Sequence, residues 1–231
     1  TFSSTGNASN FGDLSNRLIG NSQLSNNIRG LSFSGNADPA NISQIDAITM
    51  ATESNAFDFG DLSQFRNGMG ACASTTRGLM VAGTVSPSRV NTIEFVTIMS
   101  TGDSQDFGDL AVTTNAGNTQ LYNAICASNA TRAILFNGRD TANNSTNTIQ
   151  YITMATTGNS IEFGDVTSGY QQMGGSSPTR AVIASGIGDP GSAQNIIEFV
   201  EIATTGNAKD FGDCTSRDEN LGACTNGHGG L

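Results

Sequence analysis

One short phrase recurs five times along this chain: NFGDL at residues 10–14, DFGDL at 58–62, DFGDL at 106–110, EFGDV at 162–166 and DFGDC at 210–214. Its aromatic residues, Phe11, Phe59, Phe107, Phe163 and Phe211, are spaced by 48, 48, 56 and 48 residues. Periods of about 20 to 50 residues belong to solenoids, propellers and arrays, whose units cannot bury their apolar faces alone. The chain must therefore fold as stacked copies of one module.

The rest of the module repeats as well. Upstream of the later phrases lie SQIDAITMATESN (from Ser43), NTIEFVTIMSTGD (from Asn91), NTIQYITMATTGN (from Asn147) and NIIEFVEIATTGN (from Asn195). Before these come RGLSFSG, RGLMVAG, RAILFNG and RAVIASG, beginning at Arg29, Arg77, Arg132 and Arg180. In NTIEFVTIM, alternate residues Ile93, Phe95, Thr97 and Met99 share one face, and Glu94, Val96 and Ile98 the other. With both faces largely apolar, such a strand must be covered on both sides. TTGN and STGD supply the Gly and Asn that a tight turn needs at positive φ.

Four strands per unit are expected: the Arg-led run, the NTIEF run, the acidic phrase, and a small-residue run such as RNGMGACAS or LYNAICAS. Composition agrees, because 28 Gly and abundant Asn, Ser and Thr disfavour helix. The expected fold is all-β, a single β-propeller domain over 1–231 built of four-stranded antiparallel blades. The repeats run 29–75, 76–130, 131–178 and 179–225, with a partial blade at 1–28 and a tail or new repeat at 226–231. That predicts about five blades with one incomplete, closed within the chain, extended by further repeats, or completed by a neighbouring chain along an open edge.

Within the phrase, Phe11, Phe59, Phe107, Phe163 and Phe211 are expected to fill the space between blades, and the Gly to permit a bulge or close backbone approach. The second acid, Asp13, Asp61, Asp109, Asp165 or Asp213, is expected to accept backbone N–H groups or to meet an arginine of the set Arg29, Arg77, Arg132 and Arg180. The alternative is calcium held by Asp58, Asp61 and their counterparts, although no EF-hand-like loop is present.

The formal net charge of −10, with Lys209 the only lysine, opposes binding to a phosphate backbone or an acidic membrane. No apolar run of about 18 residues is present, so membrane insertion by a helix is not expected. Cys72, Cys126 and Cys224 fall near one repeat position, where Gly175 stands in the remaining copy, and are expected to be buried thiols. A Cys214–Cys224 disulfide is the alternative.

Chemistry finds little purchase. The kinase phrase containing DFG occurs once per kinase, beside a strand lysine and an HRD loop that are missing here. Neither GxSxG, HExxH nor a P-loop occurs. His228 is the sole histidine, too few for a zinc finger or a copper site. Paired carboxylates at every repeat suit a scaffold better than a glycosidase, which needs two unique ones. The expectation is a noncatalytic protein without cofactor.

Loops offer binding surface instead. The divergent connections carry Thr113, Asn115 and Asn118 in one and Asp140 and Asn143 in another, polar enough to hydrogen-bond a glycan, although no Trp is present for stacking. Asn7, Asn41, Asn129, Asn143 and Asn144 fit the N-x-Ser/Thr acceptor pattern for glycosylation.

The combination of NTIEFVTI, TTGN, DFGDL and SSPTRA resembles the kelch-like DFGDL-repeat propeller segments of marine bacteriophage (cyanophage) virion structural and tail-associated proteins, over essentially the whole chain. The paired glycines with spaced Tyr and Trp of typical kelch blades are missing. The resemblance implies a virion or extracellular structural protein, a tail or fibre component presenting loops to a host-surface glycan, with other structural subunits or copies of itself as partners. The alternative is a self-assembling extracellular filament or adhesin subunit whose incomplete blade a neighbouring copy completes.

Overall fold

The computed structural model describes residues 7–36, 41–111, 121, 123–136, 138–140, 142, 145–167, 171–187, 192–217 and 223. Within them every regular element is a strand. The first sheet holds β1 (Ser22–Ser25), β2 (Arg29–Gly35), β3 (Ile42–Thr49) and β4 (Phe57–Asp61), neighbours in that order. The second holds β5 (Gly70–Ala73), β6 (Arg77–Val81), β9 (Thr92–Thr97) and β10 (Gln105–Asp109), with a ribbon of β7 (Thr84–Val85) and β8 (Ser88–Arg89) between its middle strands. The third comprises β11 (Ile125–Ser128), β12 (Arg132–Phe136), β13 (Thr148–Thr153) and β14 (Ile161–Asp165). The fourth comprises β15 (Gln171–Ser176), β16 (Arg180–Ile187), β17 (Ala193–Glu201) and β18 (Lys209–Asp213). All pairings are antiparallel.

The sheets are offset from the repeats expected at 29–75, 76–130, 131–178 and 179–225. The small-residue run does not close the unit before it; it opens the sheet after it, so the sheets span 22–61, 70–109, 125–165 and 171–213. A tight turn decides this. Asn26, Ser74, Asn129 and Ser177 each accept the backbone N–H of the following arginine three residues on, folding the short strand onto the Arg-led strand.

Three apolar clusters lie between successive sheets. Leu31, Phe33, Ile45 and Phe59 of the first sheet pack against Met80, Val96 and Ile98 of the second. Leu79, Ile93, Phe95 and Phe107 meet Leu135, Ile152 and Met154, and Ile134, Phe136, Ile149 and Phe163 meet Ile183, Val200 and Ile202. The middle strands of the second and third sheets thus bury one face in the seam before them and the other in the seam after them, as the two-sided apolar pattern requires.

Candidate functional site: the seams and the central cavity

The phrase is bulged in every sheet, with a register shift opposite Gly60, Gly108, Gly164 and Gly212. At Gly108, φ is +142°, a conformation open to glycine and costly for other residues. A Cβ there would stand 2.6 Å from the carbonyl of Gly158 in the next sheet. Bulge and close approach, both expected of this glycine, are present together.

The approach creates a backbone latch. The N–H of Gly158 donates to the carbonyl of Phe107 at 2.7 Å, and that of Ser160 to the carbonyl of Asp109 at 2.9 Å. Gly102 and Ser104 engage Phe59 and Asp61 in the same way, and Gly206 and Ala208 engage Phe163 and Asp165. The reverse bond runs from the N–H of the second acid to the turn's Asn or Asp side chain: Asp61 to Asp103 at 3.0 Å, Asp109 to Asn159 at 3.0 Å, and Asp165 to Asn207 at 3.1 Å. Residues 10–14 latch onto the first sheet, with Asp13 N–H on Asn55 at 3.0 Å and Ala56 N–H on the Asp13 carbonyl at 2.8 Å.

The second acid therefore acts through its backbone, and pairing with the repeating arginines is not what the structure shows. Arg29 donates to the carbonyl of Ile98, Arg77 to that of Met154, and Arg132 to those of Ile202 and Ala203, each in the next sheet. Their guanidinium groups stack on Phe57, Phe95 and Tyr151 at 5.5, 4.6 and 4.6 Å. A strand-end carbonyl attracts a guanidinium at far lower desolvation cost than a buried carboxylate pair entails. Arg180 stacks on Phe199 and pairs with Glu201 at 2.8 Å, both half-exposed.

Phe59, Phe107 and Phe163 are buried in the seams as expected, whereas Phe11 and Phe211 are 37% and 56% exposed. Phe107 and Phe163 sit edge-on to Phe95 and Tyr151, a favoured geometry for aromatic pairs.

Sequence reasoning missed a second polar column. Asp46, Glu94, Gln150 and Glu198, all at one position of the third strand, are buried and reached across the seam from just after the preceding phrase. Ser15, Ser63 and Thr167 donate hydroxyls to Asp46, Glu94 and Glu198. Where Ala111 replaces the hydroxyl residue, its N–H donates to Gln150 at 3.0 Å and Ser160 bonds the same amide. The polar letter breaking each apolar run was the available signal. Glu94 also pairs with fully buried Arg66 at 2.7 Å, and burial lowers the Arg66 pKa against the opposing pull of that carboxylate. Burial raises the Glu198 pKa, partly offset by the Thr167 N–H, with Asp210 adding a smaller upward push.

The four short strands β1, β5, β11 and β15 border one cavity of about 500 Å³ together with Leu14, Met50 and Ala223. Serine hydroxyls staple neighbouring strands there, Ser128 to the Ala73 carbonyl and Ser176 to the Ser128 carbonyl, both at 2.7 Å. Cys72 and Cys126 line it as buried free thiols, and hydrogen bonding to Cys72, with burial, holds the Cys126 pKa well above its ordinary value. Among the described residues Asp46 is the sole charged one bordering the cavity, and Ser15 and Gln44 occupy its carboxylate oxygens.

Of the remaining expected sites, Asp140 is buried, its carboxylate accepting the Ala142 N–H at 2.9 Å, so it caps a turn and presents nothing outward. Asn129 spends its amide nitrogen on the Pro178 carbonyl at 2.8 Å, the atom a glycan would need. Asn7 and Asn41 are exposed. Thr113, Asn115, Asn118, Asn143, Asn144, Cys224 and His228 lie outside the described residues, and Cys214 carries a free thiol. Among the described residues, no group of three or more His, Cys, Asp or Glu is placed to hold a metal ion. Nor, among the described residues, is any helix long and apolar enough to cross a membrane.

These features define an all-β repeat protein of four-stranded antiparallel, blade-like sheets joined through backbone latches. Against models of known protein families the chain matches none, and no curated protein matches it significantly.

Proposed function

We propose that the chain is a noncatalytic structural and binding β-propeller of about five blades with one incomplete, a virion tail or fibre component that presents its variable loops to a host surface. The observation that carries this reading is the use made of the repeated polar groups. The phrases and turns of the four latches, Arg29, Arg77 and Arg132, and the buried polar column are spent on joining one sheet to the next, which is what a scaffold asks of them. The connections of most divergent sequence are 111–120 and 138–147, and connections of that kind tolerate variation.

Electron microscopy of the native particle tests the assignment. The reading expects the sheets at a tail or fibre with loops outward, and saturable binding to host-cell polysaccharide without turnover. Turnover of the polysaccharide, or a location away from the virion exterior, would refute it. A second reading, an extracellular filament or adhesin subunit, draws on one feature: Met50 of the first sheet and Phe211 of the fourth are exposed at 46% and 56%. Concentration-dependent polymerisation of the purified chain would favour it.

A further inference from the structure

Four latches are formed among the described residues, yet the chain contains five phrases. Phrases at 10–14, 58–62, 106–110 and 162–166 each engage the turn of the following sheet. The fifth, Phe211-Gly212-Asp213, has the same bulge and the same glycine conformation, φ +143°. Space beside Gly212 is open, with nothing within 4 Å of where a Cβ would stand. The fourth sheet's outer face is correspondingly uncovered. Ile45, Ala47 and Phe59 are buried in the first seam, while their counterparts Ile197 and Phe199 are half-buried and Phe211 is exposed.

A further stretch of latch-turn sequence stands just ahead of residues 10–14. Asn7 stands three residues ahead of its phrase, as Asn55, Asp103, Asn159 and Asn207 stand ahead of theirs, and Thr5-Gly6-Asn7 repeats Thr101-Gly102-Asp103 and Thr205-Gly206-Asn207. Asn7 is exposed and leads directly into residues 10–14, which are fastened to the first sheet.

We propose that the Phe211–Cys214 edge is a docking site for the Thr5-Gly6-Asn7 turn of the same molecule, closing the ring of sheets between the fourth and the first. The Asp213 N–H would donate to the Asn7 amide oxygen, as the N–H groups of Asp61, Asp109 and Asp165 donate to Asp103, Asn159 and Asn207. This deepens, and rests on, the propeller part of the proposed function; it is independent of virion or host.

All four described turns are already engaged, that of the first sheet by residues 10–14, which leaves the sequence at 5–7 as the occupant. One observation favours that of the same molecule over a second copy's: the open ends do not point away from each other. Met50 and Leu14 at one end, and Gly175 and Ala223 at the other, border the same cavity as all four inner strands. A tethered turn facing its site has an effective concentration that a separate molecule rarely matches.

Disulfide trapping tests it. In the full chain carrying Cys214→Ser and Cys224→Ser, Asn7→Cys is combined with Asp213→Cys, and Asn159→Cys with Asp109→Cys marks an internal latch. Expected is a bond within one molecule, located by peptide mapping, formed to at least about half the extent of the internal pair. A bond found only between molecules would overturn the proposal in favour of second-copy docking. No bond, where the internal pair forms one, would overturn it outright. Thermal midpoints supply an independent readout. Gly212→Ala is expected to shift the midpoint as far as Gly108→Ala; a shift no greater than that of Gly158→Ala, whose Cβ position is open, would also overturn it. Failure here leaves a tail location and glycan binding untouched, and failure of those leaves the latch untouched.

Discussion

Replacing Gly108 by alanine asks whether the phrase is glycine-centred because of the seam. Two costs add. The backbone at φ +142° is a glycine conformation, and an L residue there costs about 1–3 kcal/mol. The new Cβ would also stand 2.6 Å from the Gly158 carbonyl, backbone that cannot rotate aside. The turn must withdraw, weakening the bonds from Gly158 and Ser160 at about 0.5–1.5 kcal/mol each. The sum is about 2–6 kcal/mol. Gly158→Ala is the matched control, because φ there is +152° and nothing lies within 4 Å of its Cβ position. It should cost only the conformational part. The difference of about 1–3 kcal/mol corresponds to about 0.3–1 M in the urea midpoint at a slope near 3 kcal/mol/M. Far-UV circular dichroism follows the transition, since the chain has no Trp. Equal shifts for the two variants would refute the argument that close approach across the seam requires the glycine.

Three further outcomes are expected. Arg66→Ala strands the buried Glu94 carboxylate and should destabilise by about 3–5 kcal/mol, with Arg66→Met/Glu94→Leu recovering most of it in urea melts. Burial raises the Glu198 pKa, so the native state holds its proton more tightly than the unfolded chain does. Its stabilising contribution is complete below the ordinary glutamate range and is lost as pH rises through the raised native value. Glu198→Gln should remove that loss, and an unchanged pH dependence of the urea midpoint in the variant would count against it. Iodoacetamide at mildly alkaline pH should modify half-buried Cys214 in the native protein, and buried Cys126, with its raised pKa, only after unfolding; mass spectrometry of the digests distinguishes the two.

How far the sequence reaches shows in particular residues. The five phrases and the two-sided apolar strands were enough for an all-β stack of four-stranded sheets, for Phe59, Phe107 and Phe163 in the seams, and for the glycine's double role. Strand membership was not legible. Short runs such as Gly70–Ala73 are apolar on both faces, so period and polarity permit pairing with the strand before or after, and the Asn26 or Ser74 turn makes the choice. The arginine partners were misjudged for a related reason. Charge pairing is readable from letters, whereas a carbonyl at Ile98, Met154 or Ile202 is the same atom at every residue.

The sequence by itself determined the period, the module and the faces each strand must bury, because alternation of side chains is a local property of extended backbone. Only the tertiary structure decided which backbone atoms meet across a seam: the phrase against the next turn, Arg66 against Glu94, and the column from Asp46 to Glu198. Those contacts join residues about 30 to 70 positions apart through groups whose partners are set by sheet placement, and placement follows from packing two apolar faces at once.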